Sequence, residues 1–387
     1  MKKLVFLFLV LSALGATAQP KMDFRDGSLT ELLKIAQAED KPLLFMGYAD
    51  WCEHCKMMKT EVFTDPKVIE FYNKNFVCGW QDMESAAGMA IRKKYNIRAF
   101  PVFLFFDKSG ELLYVANGEI KADNFIKEGQ NALNPKMQLP YLKSQFEADV
   151  TNAENCLAYV GALRKANLDT DAVSQKYLSN LNEDQLVSNM NWKIIANGVR
   201  DVNSREFQYV LKKQPEFAAV SSAKRVERKI LNMVQEWLTP AVESGDTATY
   251  FKKRPPVERI AMRQTDSLLF TFDLKIMEIT KNWKGYVRYA SAGASKNAWN
   301  NAAKLKEMAK IYMNEIRQPE ALNDAIDWAK RSLELNNAYD VHIIIARLYF
   351  FKGDRQMAKE WAEKAKTMAQ NLKFDTKQAD DILNELR

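Results

Sequence analysis

The sequence predicts an α/β domain followed by an all-α region of paired helices. Between residues 29 and 133, short apolar runs alternate with amphipathic segments, a pattern typical of a layered α/β domain. Two prolines within NPKMQLP (134–140) then interrupt this pattern. Beyond them, the segments have helical periodicity and contain no convincing strand run. The predicted fold is therefore an α/β domain joined by a linker at 135–140 to a solenoid-like helical region.

The first residues have the pattern of a secretory signal peptide. Lys2 and Lys3 precede an apolar run at 4–14, and Ala16 and Ala18 follow in an A-x-A arrangement. The apolar run is shorter than the ~20 residues that a membrane-spanning helix needs. We therefore expect a signal peptide at 1–18 that is cleaved after Ala18. The mature protein is expected to have no membrane span and to be periplasmic or secreted.

The charge pattern argues against nucleic acid as a partner. The formal net charge is +7, and removal of Lys2 and Lys3 leaves 7 − 2 = +5. No run of lysine and arginine exceeds three residues. A phosphate-binding surface needs clustered cations, so we expect no nucleic-acid binding.

The elements of the α/β domain, expected at 19–134, follow from periodicity and capping residues. Buried strands are predicted at PLLFMGY (42–48) and FVCGWQDM (76–83), and a hairpin at PVFLFF and LLYVANG around the turn DKSG (101–118). Helices are predicted at 28–41, from Cys52, at 65–75, at 85–96 and at 122–133. Ser28 and Asp65 are suitable N-caps, and Pro66 suits a first helical position.

The all-α region divides into two predicted parts. Paired helices are expected at 141–301, where TNAENCLAYVGALRKAN, NEDQLVSNMNWKIIANGV and SAKRVERKILNMVQEWL are helical segments. A tetratricopeptide-like repeat is expected at 302–387, because similar residues recur at an offset of 33: Ala325 and Ala358, Trp328 and Trp361, Ala329 and Ala362. One face of these repeats is a possible docking surface for a partner protein.

The pair Cys52 and Cys55 in WCEHCK is the candidate reactive site. A zinc site would need further ligands, and the chain offers only His54 and His342 and no second cysteine pair. We therefore expect neither a metal nor a diffusible cofactor, with a Cu(I) metallochaperone kept as an alternative. At the first turn of a helix, free backbone N–H groups favour a thiolate. Cys52 would then be the exposed attacking thiol, and Cys55 the buried resolving thiol.

Two motifs together carry a resemblance to a known family. The chain has WCEHCK after an apolar strand and YNIRAFPVFLFFDKSGELL some 40 residues later, and in this it resembles the thioredoxin fold. The stretch at 41–68 most resembles the C-terminal domain of the periplasmic reductant carrier DsbD and related secreted thioredoxin-like proteins. The resemblance implies that Pro101 follows a cis peptide bond beside the disulfide, where its backbone pairs with a partner's extended chain. It also implies that Trp51 shields the disulfide.

The chain departs from this family at two positions. Members often have a buried acid six residues before the first cysteine, where this sequence has Met46. Proton transfer would then use water, Glu53 or another acid, such as Asp82 or Glu84. Between the cysteines, a protonated His54 would stabilise the thiolate and Glu53 would destabilise it, so these residues do not fix the reduction potential.

The predicted function is an exported thiol–disulfide oxidoreductase that acts on protein substrates. The resemblance to DsbD implies a reductant served by a redox partner protein, whereas a histidine before the second cysteine, here His54, suggests an oxidant or isomerase. The helical region would bind a partner. The alternative is a non-enzymatic interaction protein with a thioredoxin-like platform. We expect Cys78 and Cys156 each to be a buried or free thiol rather than a redox group, and we keep a disulfide between them as a less favoured alternative.

Overall fold

The computed structural model describes residues 21–387, so the predicted signal peptide lies outside the described residues. The described chain divides into two compact units, and the boundary lies between Val199 and Arg200. The predicted linker at 135–140 contains a 3-10 turn, Pro135–Met137, and the first residues of the next helix. The domain boundaries drawn from the sequence stay predictions.

The first unit contains a mixed five-stranded sheet. Its strands are β1 Phe24–Arg25, β2 Leu43–Tyr48, β3 Val77–Asp82, β4 Val102–Phe106 and β5 Leu112–Asn117. Their order in the sheet is β1-β3-β2-β4-β5. β3 pairs in parallel with β1 and β2, whereas β4 pairs antiparallel with β2 and β5. The four longer strands, including the hairpin, lie where the short apolar runs of the sequence predict them.

Five helices surround this sheet: α1 Leu29–Ala38, α2 Glu53–Met57, α3 Pro66–Asn75, α4 Ala86–Lys94 and α5 Ala122–Leu133. The predicted caps are present, because the side chains of Ser28 and Asp65 accept hydrogen bonds from the first turns of α1 and α3. A π-helical segment, Met58–Val62, continues α2. The sequence analysis did not predict this segment, in which each N–H pairs one residue further back than in an α-helix.

Both faces of the sheet are buried, as expected for short apolar runs without alternation. One face, with Met46 and Phe103, packs against α2, α3 and α5. The opposite face, with Phe45 and Leu104, packs against α1. The cysteine pair belongs to the first of these cores.

From Leu139 onward, every element in the described chain is an α-helix. The first unit ends with α6 Leu139–Ala148, α7 Ala153–Lys165, α8 Asp171–Leu178, α9 Glu183–Leu186 and α10 Asn189–Gly198. The segment predicted as one helical stretch at 182–199 is two helices, because Ser188 caps α10 and accepts a hydrogen bond from Asn191 N. Leu139 and Leu163 pack into the core that covers Phe45, so α6 and α7 complete one layer of the α/β domain.

The second unit consists of consecutive helices: α11 Arg205–Lys212, α12 Gln214–Val220, α13 Ala223–Glu243, α14 Thr247–Glu258, α15 Arg263–Ile279, α16 Trp283–Asn297, α17 Ala302–Glu315, α18 Pro319–Leu335, α19 Tyr339–Lys352, α20 Arg355–Leu372 and α21 Lys377–Glu385. Within residues 21–387, no helix is both long and apolar enough to cross a membrane.

The residues of the predicted repeat lie in α18 and α20. Ala325, Ala329, Ala358 and Ala362 are all fully buried, and small side chains at these positions allow neighbouring helices to approach closely. Gly353 ends α19 with a φ of +88°, a conformation that glycine adopts without steric cost. These observations are compatible with a helical hairpin array, and the tetratricopeptide assignment stays a prediction.

Candidate active site

The cysteine pair lies where strand β2 leads into helix α2. Cys52 is the N-cap residue of α2, and its Sγ accepts a hydrogen bond of 3.2 Å from the backbone N–H of Cys55. The two sulfur atoms are at disulfide distance from each other. The helix start predicted for Cys52 is therefore present, with a backbone N–H directed at its sulfur.

Both cysteines are buried, which corrects the prediction of an exposed Cys52. The exposed fraction is 4% for Cys52 and 1% for Cys55. Cys52 is the more exposed of the two cysteines, as predicted. Its side chain nevertheless turns inward, because its sulfur caps the helix and bonds to Cys55. Trp51 is 64% exposed, and its ring lies edge-on to Phe100 at a centroid distance of 6.1 Å.

Pro101 lies at the same end of the sheet as the cysteines. The Phe100–Pro101 peptide bond is cis, as expected from the resemblance. Strand pairing aligns Gly47 with Val102, which places Pro101 next to the chain that leads from β2 to Cys52. The carbonyl oxygen of Pro101 accepts a hydrogen bond of 2.8 Å from Gly118 N. The proline is therefore held in place by the segment that follows β5.

The same segment also reaches the residues between the cysteines. Nδ1 of His54 and Oε2 of Glu119 lie 2.7 Å apart, and the Lys56 ammonium pairs with Glu53 at 2.6 Å. Glu53 and His54, the two residues between the cysteines, thus each lie beside a side chain that can carry the opposite charge. The sequence analysis missed Glu119, which is 65 positions from His54 and carries no local signal of this contact.

Met46 has an apolar environment. It is fully buried, and its neighbours across the sheet are Trp80 and Phe103. No carboxylate replaces the usual buried acid at this strand position. Any acid that transfers the proton of Cys55 must therefore reach it from another element or through water.

The charged side chain of Lys59, from the π-helical segment, contacts two aromatic residues of β2 and β3 near this position. Lys59 Nζ lies 3.7 Å from the ring centre of Tyr48 and 4.7 Å from that of Trp80. Burial lowers the pKa of Lys59, while the carboxylates of Asp50 and Asp82 act in the opposite direction. Of the acids considered from the sequence, Asp82 lies beside Tyr48 in the sheet, whereas Glu53 is exposed and paired with Lys56.

The other two cysteines are buried free thiols, as predicted. Burial raises the pKa of Cys78, with a smaller contribution from Asp23. Burial alone raises the pKa of Cys156 to about 12. Both thiols are therefore protonated at neutral pH, which makes them poor nucleophiles. Within the described residues, no three side chains of histidine, cysteine, aspartate and glutamate gather as a metal site.

Comparison with known proteins assigns the first part of the chain. Residues 29–133 match the family described as a thioredoxin-like domain. These residues form a thioredoxin-like domain. The matched range contains the cysteine pair, Pro101 and the strands β2 to β5, so the site described above belongs to this domain.

Relatives of the thioredoxin-like domain include proteins named for disulfide chemistry. The thiol:disulfide interchange protein DsbD of Yersinia enterocolitica is 30% identical over 147 residues, which cover 33% of this chain and 25% of DsbD. Protein disulfide-isomerase A5 of Mus musculus is 27% identical over 107 residues, covering 28% of this chain and 20% of that protein. The matched part thus spans a quarter or less of these relatives.

A solved structure with a similar domain is the oxidised DsbD C-terminal domain of Neisseria meningitidis. It is 25% identical, with a TM-score of 0.25, and the match covers 29% of this chain and 98% of that chain.

Proposed function

We propose that this chain is an exported thiol–disulfide oxidoreductase that acts on protein substrates. The observation that carries the proposal is the Cys52–Cys55 disulfide at the start of α2, beside the cis peptide bond of Pro101. The relatives' names, thiol:disulfide interchange protein and protein disulfide-isomerase, support the same chemistry. Export rests on the signal-peptide pattern at 1–18.

The proposed reaction begins with the reduced pair. The Cys52 thiolate attacks one sulfur of a substrate disulfide, which forms a mixed disulfide and releases the other substrate sulfur as a thiolate. Cys55 then loses its proton and attacks Cys52 Sγ, and the second substrate sulfur leaves. The substrate disulfide is reduced to two thiols, while Cys52 and Cys55 are oxidised to a disulfide. A redox partner protein must reduce this pair again, as thiol exchange requires.

The environment of Cys52 supports its role as the attacking group. The Cys55 N–H directed at its sulfur stabilises a thiolate more than a thiol. The backbone next to Pro101 is the proposed docking edge for an extended substrate segment, with the exposed Trp51 and the half-buried Phe100 as its aromatic border.

The proposed direction is reduction of substrates. A free imidazolium between the cysteines would stabilise the Cys52 thiolate and make the pair a stronger oxidant. Glu119 Oε2 lies 2.7 Å from His54 Nδ1, so its carboxylate adds negative charge beside the pair, which disfavours the thiolate. A reduction potential near that of thioredoxin, about −270 mV, is therefore expected, rather than one near −120 mV.

Catalysed reduction of insulin by dithiothreitol tests the proposal. We expect the protein to accelerate the reaction and the Cys52→Ser variant to lose this activity. Cys156→Ala is the matched control, because it removes a buried thiol outside the cysteine pair, and it should keep the activity. If Cys52→Ser were as active as the unmodified protein, exchange at this pair would be refuted and the interaction-platform alternative favoured.

A further inference from the structure

A cavity of about 870 Å³ lies in the second unit and is independent of the cysteine site. Its walls are α13 and α15, and the start of α17 closes one side. This volume lies within the range of about 300–1,000 Å³ that is typical of ligand sites. The side chains that line the cavity indicate which ligand it would bind.

Cations dominate the charge of this cavity. Lys224, Arg228 and Lys304 all line it, and Glu227 is the acidic residue among its lining residues. The Glu227 carboxylate accepts a hydrogen bond of 2.8 Å from Gln264. Among residues 21–387, none of the three cations forms a salt bridge with a carboxylate. With three cations and one carboxylate, the lining of the cavity has a net charge of 3 − 1 = +2.

Lys304 is the most constrained of these cations. Its Nζ donates a hydrogen bond of 2.6 Å to the Thr271 hydroxyl and lies 4.8 Å from the centre of the Phe270 ring. Burial lowers the pKa of Lys304, because the ammonium has lost part of its hydration without gaining a counter-ion. An incoming carboxylate would supply that counter-ion.

Amide side chains supply the second feature of the cavity. Asn232, Gln235, Gln264 and Asn301 all line it. The Asn301 oxygen accepts a hydrogen bond from Lys304 N, and Gln264 donates to Glu227, whereas Asn232 and Gln235 each present a carboxamide with both donors and an acceptor. Peptide backbone groups also come as donors and acceptors, so carboxamides can pair with an extended chain. Leu231 and Leu268 add apolar contact area between the polar groups.

We propose that this cavity binds an acidic, extended segment of a partner polypeptide. The cations would pair with aspartate or glutamate side chains, the carboxamides with the backbone, and the leucines with apolar side chains between the acids. Charge complementarity of this kind determines which partner is selected and accelerates association. The proposal does not depend on the redox chemistry, because it uses none of the residues around Cys52.

Fluorescence anisotropy with the full chain tests this proposal. The probe is a labelled pool of peptides of roughly eight residues, which extend to about 26 Å, with glutamate at alternate positions. We expect saturable binding that weakens at high salt and is absent for a matched pool with lysine instead of glutamate. Lys304→Gln should weaken binding about tenfold, equivalent to about 1.4 kcal/mol.

Lys310→Gln is the matched control, since Lys310 is an exposed cation on the same helix outside the cavity, and binding should not change. Arg228→Gln is a second variant at an exposed position, and it should weaken binding without affecting folding. Equal binding of the acidic and basic pools, or equal effects of Lys304→Gln and Lys310→Gln, would overturn the proposal. An oligothymidine of similar length that bound more tightly than the acidic peptides would also overturn it.

Discussion

His54 and Glu119 form a side-chain contact next to the two cysteines. Their side chains meet at 2.7 Å, although the imidazole is 70% exposed. The segment that holds Glu119 also holds Pro101 through the Gly118 N–H. The short segment after β5 therefore contacts both Pro101 and His54.

Replacing Glu119 by glutamine should make the protein more oxidising. The substitution removes the carboxylate that lies 2.7 Å from the His54 ring, and the loss of this negative charge should stabilise the Cys52 thiolate of the reduced protein. We expect the equilibrium constant with glutathione to shift about threefold to tenfold toward the reduced pair, where tenfold corresponds to about 30 mV. Because His54 is exposed, the shift should shrink at high salt.

The matched control for this prediction is Glu111→Gln. Glu111 precedes β5 at the opposite end of the hairpin from Pro101, so the substitution removes the same charge far from the cysteines. Its redox equilibrium should equal that of the unmodified protein. Identical equilibrium constants for the Glu119 and Glu111 variants would show that the carboxylate at 119 does not tune the pair.

At the level of helices, a buried ion pair joins α14 to α15 in the second unit. The Asp273 carboxylate, which is 4% exposed, accepts hydrogen bonds from Arg254 Nε at 2.8 Å and Nη2 at 3.0 Å. The Tyr250 hydroxyl donates a third hydrogen bond of 2.6 Å to the same carboxylate. Removal of the carboxylate would leave a guanidinium and a hydroxyl without their buried partner.

Asp273→Ala should therefore lower the free energy of unfolding by about 3 kcal/mol, as expected when one partner of a buried ion pair is lost. Urea unfolding followed by circular dichroism measures this change. Asp266→Ala is the control on the same helix, because Asp266 pairs with an exposed Lys296, and it should cost less than about 1 kcal/mol. Equal losses for both variants would contradict a structural role of the buried pair.

The structure also shows why some elements could be predicted from the sequence and others could not. Helices α1 and α3 have both a periodic apolar face and a side-chain cap, which are local signals. Strand β1 has only two residues, too few for any periodicity. The packing of Leu139 and Leu163 onto the sheet is a tertiary contact, and the periodicity of α6 and α7 does not reveal which surface covers their apolar faces.

The same distinction applies to the active site. The spacing of Cys52 and Cys55 and the position of Pro101 follow from the sequence and its resemblance. The contact of Glu119 with His54 depends on how the segment after β5 folds back. The burial of Cys52 depends on the capping geometry of α2. Such features arise from three-dimensional contacts and have no counterpart in local sequence patterns.

Across the whole molecule, the two proposed activities lie in different units. The cysteine pair belongs to the first unit, and the cationic cavity belongs to the second. We infer that the first unit exchanges disulfides and that the second unit recruits an acidic partner. Loss of either activity by mutation should leave the other intact, because the two sites share no residue.

Mass spectrometry of a trapped intermediate tests the exchange chemistry at its key step. Cys55→Ser removes the resolving thiol, so incubation of the reduced variant with insulin should leave an insulin chain covalently attached to Cys52. Dithiothreitol should release this adduct, and the double variant Cys52→Ser/Cys55→Ser should form none. If the Cys55→Ser variant, shown to be folded, formed no thiol-labile adduct at Cys52, the proposed function of the pair would be wrong.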